Sequence, residues 1–188
     1  MRLNYKRTFF IGMAFLSICA FWQLYDNIIP LILQNNFGLG ETLTGGIMAI
    51  DNILALFLLP FFGSLSDKVN TRIGKRTPFI VGGTTLAVIF MMVIPYAAKT
   101  TNFPLFFISL GLVLLSMGTY RSPAVALMPD LTPKVYRSSA NAVINLMGAI
   151  GGITTLVFIT LLVPQGSLPD YTNVFLAVAI FMIISIAI

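Results

Sequence analysis

The sequence predicts an all-α membrane protein built as a six-helix transmembrane bundle. Hydrophobic residues make up 57% of the chain and charged residues only 9%, and the mean hydropathy is +0.94. Ordinary soluble domains carry roughly 25% charged residues, so this composition excludes them. A transmembrane helix needs about 20 apolar residues to cross a hydrocarbon core of about 30 Å. Six segments approach that length, near residues 8–33, 43–62, 78–97, 103–127, 140–163 and 171–188.

The first segment is expected to remain as a helix in the mature protein. Arg2, Lys6 and Arg7 precede it, and a basic stretch before an apolar run is also typical of a signal peptide. This run, however, is longer than a signal-peptide core and polar at its far end. Strands are disfavoured throughout, because no segment keeps the two-residue alternation of a barrel strand.

Basic residues predict the orientation of the bundle. Nine Lys and Arg residues lie before the first segment, after the second and after the fourth, whereas Lys99 lies alone on the opposite side. Cytoplasmic loops retain Lys and Arg, so we expect a multi-pass protein of the cell membrane with a cytoplasmic amino terminus. Topology and the lipid bilayer account for the positive charge, and no nucleic-acid partner is expected.

The loop after the second segment contains more kinds of charged residue than are needed to fix the topology. Its sequence, GSLSDKVNTRIGKRTPFI over residues 63–80, contains both signs of charge, whereas an anchor needs only basic residues. Gly63 is expected to end the second helix, and Pro78 is expected to open the third. The charged residues between them are Asp67, Lys68, Arg72, Lys75 and Arg76.

This pattern resembles the signature loop of the major facilitator superfamily, G-x-x-x-D-R/K-x-G-R/K-R/K, with VNT inserted between Lys68 and Arg72. The longer form, followed directly by PFI, resembles the glycoside-pentoside-hexuronide:cation symporters and the related sucrose carriers. A second stretch, RSPAVALMPDLTPKVYRSSANA from residue 121, is similar to the junction of the fourth and fifth helices in sucrose-type carriers. The shared features are an A-L-x-x-D-L core and a later R-x-x-A-N-A.

The resemblance implies that residues 1–188 form the amino-terminal half of a twelve-helix carrier, with a carboxy-terminal six-helix half as its partner. It also implies a cytoplasmic latch that forms in the outward-facing state and breaks in the inward-facing state. Asp67 is expected to accept hydrogen bonds from Arg72 or a neighbouring guanidinium. The second cytoplasmic loop is expected to contain Asp130 and Arg137. The residues assigned to the latch are Gly63, Asp67, Lys68, Arg72, Gly74, Lys75 and Arg76.

The first helix contains polar residues within its membrane-spanning part, where polar side chains are costly and usually have a function. In FWQLYDNIIP, residues 21–30, the side chains of Trp22, Gln23, Asp26 and Asn27 share one helical face. An indole can cover the apolar face of a sugar ring, while amides and carboxylates bond its hydroxyls. This face is a candidate sugar site. The alternative for Trp22 is an aromatic belt residue at the membrane interface.

Asp51 and Asn52 lie near the middle of the second helix. Since the bilayer centre penalises charge by about 2.5 kcal/mol or more, Asp51 is expected to be a proton site or half of an ion pair. Asp26 is the rival proton site, and the chain has no His. Sodium-coupled relatives carry acidic residues where this chain has Ala55 and Leu59. Protons are therefore the expected coupling ion, without a metal site or other cofactor.

Three further residues are candidates for contacts with the substrate. Arg121 is expected near the cytoplasmic end of the fourth helix, where it would pair with Asp130 or another carboxylate, or reach the headgroups. Sucrose carriers have their basic residue about where Val125 stands here. Tyr120 is a cavity candidate beside it. On the fifth helix Asn145 is a weaker candidate, because the asparagines and glycines there also suit close helix packing.

Together these features predict a secondary active transporter that moves a sugar or glycoside by proton symport. A passive facilitator and a non-transporting sensor or scaffold on the same fold remain alternatives. An enzyme is not expected, because the sequence has no His, no H-E-x-x-H and no G-x-S-x-G. A channel would require a repeated charged or carbonyl-lined filter, whereas the Pro and Gly residues here are scattered.

Overall fold

The structure, a computed structural model, describes residues 5–72, 74–164 and 169–187 and confirms the all-α prediction over that part of the chain. The predicted basic residue Arg2, the side chain of Arg7 and Ile188 lie outside the described residues. A short 3-10 turn, Lys134–Tyr136, precedes the fifth helix. The six helices are α1 (Tyr5–Asn35), α2 (Glu41–Lys68), α3 (Thr77–Lys99), α4 (Phe103–Leu131), α5 (Arg137–Leu162) and α6 (Thr172–Ala187).

Five of these helices, α1 to α5, are long and apolar enough to cross a membrane. The shortest of them, α3, has 23 residues, which corresponds to about 35 Å at 1.5 Å per residue. The sixth helix, α6, is equally apolar and comprises 16 described residues. The helices therefore have the lengths of a multi-pass membrane bundle.

Two predicted helix ends are wrong, because α2 continues to Lys68 and α4 to Leu131, beyond the predicted ends near residues 62 and 127. Gly63 lies inside α2, where its missing side chain leaves room for the Ser122 hydroxyl, which donates to the Leu59 carbonyl at 2.6 Å. The glycine thus serves a close approach of α2 to α4 rather than a helix end. Asp130 consequently lies in the last turn of α4, not in the following loop.

The end of α4 is stabilised by Arg137 at the start of α5. Its guanidinium donates to the Pro129 carbonyl at 2.9 Å and to the Thr132 carbonyl at 3.4 Å. Carbonyl groups at a helix end lack partners within the helix, and a nearby arginine can supply them. The predicted loop residue Arg137 is therefore a capping residue that joins α5 to α4.

The most extensive contact in the bundle is between α1 and α5. It depends on glycines that allow the two backbones to touch, since a Cβ on Gly151 would collide with the Leu16 carbonyl of α1. A Cβ on Gly148 would come within 2.9 Å of the Cys19 sulfur. Nearby, the Thr155 hydroxyl donates to the Ala20 carbonyl at 3.1 Å. Small residues and hydrogen bonds between helices are a common basis of helix association in membranes.

Ion pairs at the two ends of the bundle hold neighbouring loops and helix ends together. At one end Arg76, just before α3, bonds Asp130 of α4, so the two basic loops lie together. At the opposite end Lys99 of α3 pairs with Asp170 before α6 at 2.7 Å. Hydrogen bonds from Lys99 and then Thr172 lower the pKa of Asp170 to about 2. Among the described residues, Arg76 and Arg137 thus lie at one end and Lys99 at the other, as the sequence predicts.

We expect Gly151→Ala to destabilise the bundle by about 1–3 kcal/mol, because the added methyl forces α1 and α5 apart. Gly82→Ala on α3 is the matched control, since nothing lies within 4 Å of its new Cβ. That variant should be neutral or up to about 1 kcal/mol more stable, from helix propensity. Unfolding in mixed detergent micelles measures both, and equal stabilities would contradict the packing described here.

Candidate functional site

The buried guanidinium of Arg76 forms the centre of a charged cluster at the basic end of the bundle. The residue is 5% exposed. Its Nε donates to Asp130 of α4 at 2.6 Å, and one Nη donates to Asp67 of α2 at 2.8 Å. The other Nη donates to the Ser66 hydroxyl at 3.1 Å. One side chain therefore joins the ends of α2 and α4 to the start of α3.

Lys75 completes this Arg76 cluster, which we define as Ser66, Asp67, Lys75, Arg76 and Asp130. The Lys75 ammonium lies 3.3 Å from Asp130 and 3.6 Å from Asp67, so two cations face two anions. Its side chain is 44% exposed, and water screens its contribution. The buried member, Arg76, is the one that requires an anion beside it, because an unpaired buried charge is strongly destabilising.

The backbone between α2 and α3 turns the cluster inward. Gly74 has a φ of +102°, a conformation that residues with a side chain rarely adopt. Arg76, not Arg72, is the guanidinium that Asp67 meets. Arg72 and Lys68 are exposed, and neither makes an ion pair within the described residues. Of the two predicted donors to Asp67, Arg72 or a neighbouring guanidinium, the structure therefore has the second, Arg76.

Three charged residues lie within the membrane-spanning parts of the helices: Asp26 on α1, Asp51 on α2 and Arg121 on α4. The structure brings two of them, Asp51 and Arg121, together with Trp22 in one small cleft of about 20 Å³. Three helices thus contribute one polar or aromatic side chain each. The remaining wall is apolar and consists of Leu54, Ala55, Leu58, Leu59, Leu114 and Gly118.

Arg121 lies deeper in the membrane than predicted. Because α4 extends to Leu131, Arg121 is about 15 Å from the end of the helix and too far from Asp130 to pair with it. Its guanidinium carbon lies 5.2 Å from the centre of the Trp22 ring. Such cation–π contacts are worth about 0.5–2 kcal/mol, depending on how far they are desolvated. No carboxylate of the described residues lies within ion-pair distance of Arg121.

The indole of Trp22 is also held by its neighbours on α1. Phe21 and Tyr25 stand nearly perpendicular to it, with ring centres 5.4 and 5.3 Å away. The indole N–H and the Tyr25 hydroxyl are buried and have no hydrogen-bond partner within the described residues. Tyr25 is a neighbour that sequence reasoning missed, although it lies directly before Asp26 in the polar stretch of α1.

The remaining polar candidates on α1 and α2, which are Gln23, Asp26, Asn27 and Asn52, are not among the residues that line this cleft. Asn27 bonds the Gln23 carbonyl at 2.7 Å, so its amide is partly used within α1. Asp26 is exposed on the same helix. One oxygen of Asp51 accepts from the backbone N–H and the side-chain amide of Asn52, at 2.7 and 2.9 Å. These short local bonds orient the Asp51 carboxylate.

Two predicted substrate residues occupy different positions from the cleft. Tyr120 is 0% exposed, and its hydroxyl donates to the Ala14 carbonyl at 2.7 Å, so its position is that of a core residue joining α4 to α1. The predicted cavity role of Tyr120 is revised accordingly. Asn145 is exposed on α5 and does not line the cleft of Trp22 and Asp51.

Comparison with known proteins establishes the family of this chain. The profile of the Major Facilitator Superfamily matches residues 6–188. The chain belongs to the Major Facilitator Superfamily. Among superfamily relatives, a sucrose transport protein of Arabidopsis thaliana is 29% identical over 151 residues, which are 70% of this chain and 25% of that protein. These findings confirm the resemblance read from the loop and from the α4–α5 junction.

Two further relatives show the same relationship. A sucrose transport protein of Oryza sativa subsp. indica is 27% identical over 151 residues, 70% of this chain and 30% of that protein. An uncharacterized symporter of Synechocystis sp. is 27% identical over 163 residues, 82% of this chain and 29% of that protein. The chain spans less than a third of the length of these relatives. No solved structure shows a significant match.

The Arg76 cluster predicts non-additive mutations. Asp67→Asn or Asp130→Asn alone should cost about 1 kcal/mol, because the other carboxylate still faces Arg76. The double variant should cost about 3–5 kcal/mol, since it leaves a buried charge without an anion. Unfolding in mixed micelles measures the three values, with Asp170→Asn at the opposite, exposed pair as a control. Additive single effects would contradict the shared role of Arg76.

Proposed function

We propose that the chain is the amino-terminal half of a secondary active transporter that moves a sugar or glycoside by proton symport with alternating access. The observation that carries this proposal is the cleft in which Trp22, Asp51 and Arg121 meet within the membrane. Charged groups at this depth are costly, and a transport site is the usual reason for them. The names of the relatives, sucrose transport proteins and a symporter, support the same function.

A sugar is the ligand class that suits these side chains. The indole offers an apolar face for a ring, and the guanidinium and carboxylate offer a donor and an acceptor for hydroxyls. The cleft of this half alone, at about 20 Å³, has room for little more than one water molecule and is far below the roughly 300–1,000 Å³ that is usual for ligand pockets. We therefore propose that a carboxy-terminal six-helix half supplies the facing wall of the site, as in transporters with midplane binding between repeats.

Proton coupling is favoured over sodium coupling by the chemistry of the cleft wall. Ala55 and Leu59, which stand where sodium-coupled relatives are acidic, both line the cleft with apolar side chains. A hard cation prefers several oxygen ligands, and these positions provide none. The carboxylates that can exchange a proton within the spans are Asp51, in the cleft, and Asp26, on the neighbouring face of α1.

We assign the basic end of the bundle to the cytoplasm of the cell membrane, in agreement with the retention of Lys and Arg on that side. The amino terminus would then be cytoplasmic. In this orientation the Arg76 cluster lies at the cytoplasmic end, where we propose that it contributes to a latch closed in the outward-facing state. The cluster supports this role because one buried guanidinium fixes the ends of two helices.

The coupling role of the carboxylates predicts that Asp51→Asn or Asp26→Asn abolishes proton-driven accumulation in the full-length protein. An amide retains the shape of the side chain but cannot release a proton, so exchange of sugar across the membrane should persist. Accumulation and exchange of labelled sucrose in proteoliposomes measure the two activities separately. Asp170→Asn, outside the spans, is the control. Normal accumulation in both single variants would contradict the assignment.

The latch predicts that Asp67→Ala shifts the protein toward the inward-facing state. Loss of one charge-assisted hydrogen bond of about 1–2 kcal/mol changes the ratio of states roughly five- to thirty-fold. Reaction of single cysteines with membrane-impermeant reagents from each side reports this ratio. Greater accessibility from the cytoplasmic side, with normal insertion, is the expected result. If accessibility and transport equalled those of the wild type, the latch role would be contradicted, and the loop would serve only to fix the topology.

A further inference from the structure

The ring of Trp22 that would receive a sugar is covered by an arginine. The guanidinium carbon of Arg121 lies 5.2 Å from the ring centre, and two aromatic rings stand against the same indole. Trp22 and Arg121 are both only partly buried and both line the cleft. A sugar that stacks on the face of the indole beneath Arg121 therefore has to displace the guanidinium.

The contact that holds Arg121 is the weaker of two that the cleft offers. A guanidinium in a poorly solvated site interacts more strongly with a carboxylate than with an aromatic face. Asp51 lines the same cleft, yet it is not within ion-pair distance of Arg121 and is bonded by Asn52 instead. Arg121 is thus held near an anion without being paired to it.

We propose that Trp22 positions Arg121 by holding its guanidinium over the indole, and that a sugar ring stacking on Trp22 displaces the guanidinium toward Asp51. The inference rests on the proposed function and extends it. Trp22 is then more than a platform for the sugar, because it keeps the cation away from the carboxylate in the empty site. Sugar binding and the electrostatic environment of Asp51 are coupled through the movement of one side chain.

The empty-site part of the proposal has a spectroscopic test. Trp22 is the single tryptophan of this chain, so 5-fluorotryptophan gives one fluorine resonance once tryptophans elsewhere in the full-length protein are replaced by Phe. Arg121→Met should shift this resonance in lipid nanodiscs without sugar, because it removes the cation from the ring. Lys134→Met, which removes an exposed positive charge far along the chain, should leave the resonance in place.

The displacement itself is tested by the affinity for sucrose in a double-mutant cycle. If the displaced guanidinium moves to Asp51, Asp51→Asn should weaken binding by about 5- to 30-fold in the wild-type background, the effect of losing one charge-assisted contact. In the Arg121→Met background the same change should weaken binding markedly less, since only the contact of the carboxylate with sugar hydroxyls is then lost and no cation needs it. Trp22→Leu should weaken binding in both backgrounds. Arg121→Gln serves as a second neutral variant if Arg121→Met does not fold.

The outcomes separate this inference from the function on which it rests. A resonance that is insensitive to Arg121→Met, or sucrose binding with additive effects of Arg121→Met and Asp51→Asn, overturns the inference and leaves sugar transport intact. Absence of binding for sucrose and for a panel of mono- and disaccharides overturns the proposed function, and the inference falls with it. A shifted resonance together with a non-additive cycle supports both.

Discussion

The cost of placing a charge in hydrocarbon organises this chain. Nearly all of its charged residues lie at the ends of helices or in the loops between them, and the basic ones are concentrated at one end. The exceptions within the spans are Asp26, Asp51 and Arg121. Because a charge within the membrane raises the free energy of the fold, each of these side chains is expected to be paired, solvated or functional. The arrangement of helices, the charged cluster at the basic end and the cleft all follow from this constraint.

The architecture could be predicted from the sequence because hydropathy and segment length are local properties. Apolar runs of the right length predict helices, and the distribution of Lys and Arg predicts which loops lie together. The exact helix ends could not be predicted, because they depend on contacts between distant residues. Gly63 looks like a helix end but accommodates Ser122, and α4 passes Pro129 because Arg137 of the next helix satisfies its last carbonyls.

The members of the candidate site could be predicted because polar side chains are rare within membrane-spanning segments and are therefore easy to find in the sequence. Trp22, Asp51 and Arg121 are conspicuous for this reason, and the structure places them around one cleft. Their partners were not predictable, since spacing along one helix does not reveal which face meets another helix. Tyr120 lies next to Arg121 in the sequence, yet its side chain is buried in the core and bonds a backbone carbonyl of α1. Asp130 was predicted as a loop residue, although it is a principal anion of Arg76.

The central claim is that the cleft between α1, α2 and α4 belongs to a sugar transporter driven by protons. The most direct measurement is uptake of labelled sucrose by the full-length protein in proteoliposomes with an imposed pH gradient, with and without a protonophore. We expect accumulation above the external concentration that disappears when the protonophore is added. Uptake that only equilibrates, whether or not a gradient is present, would contradict proton coupling, and no uptake of any sugar would contradict the claim as a whole.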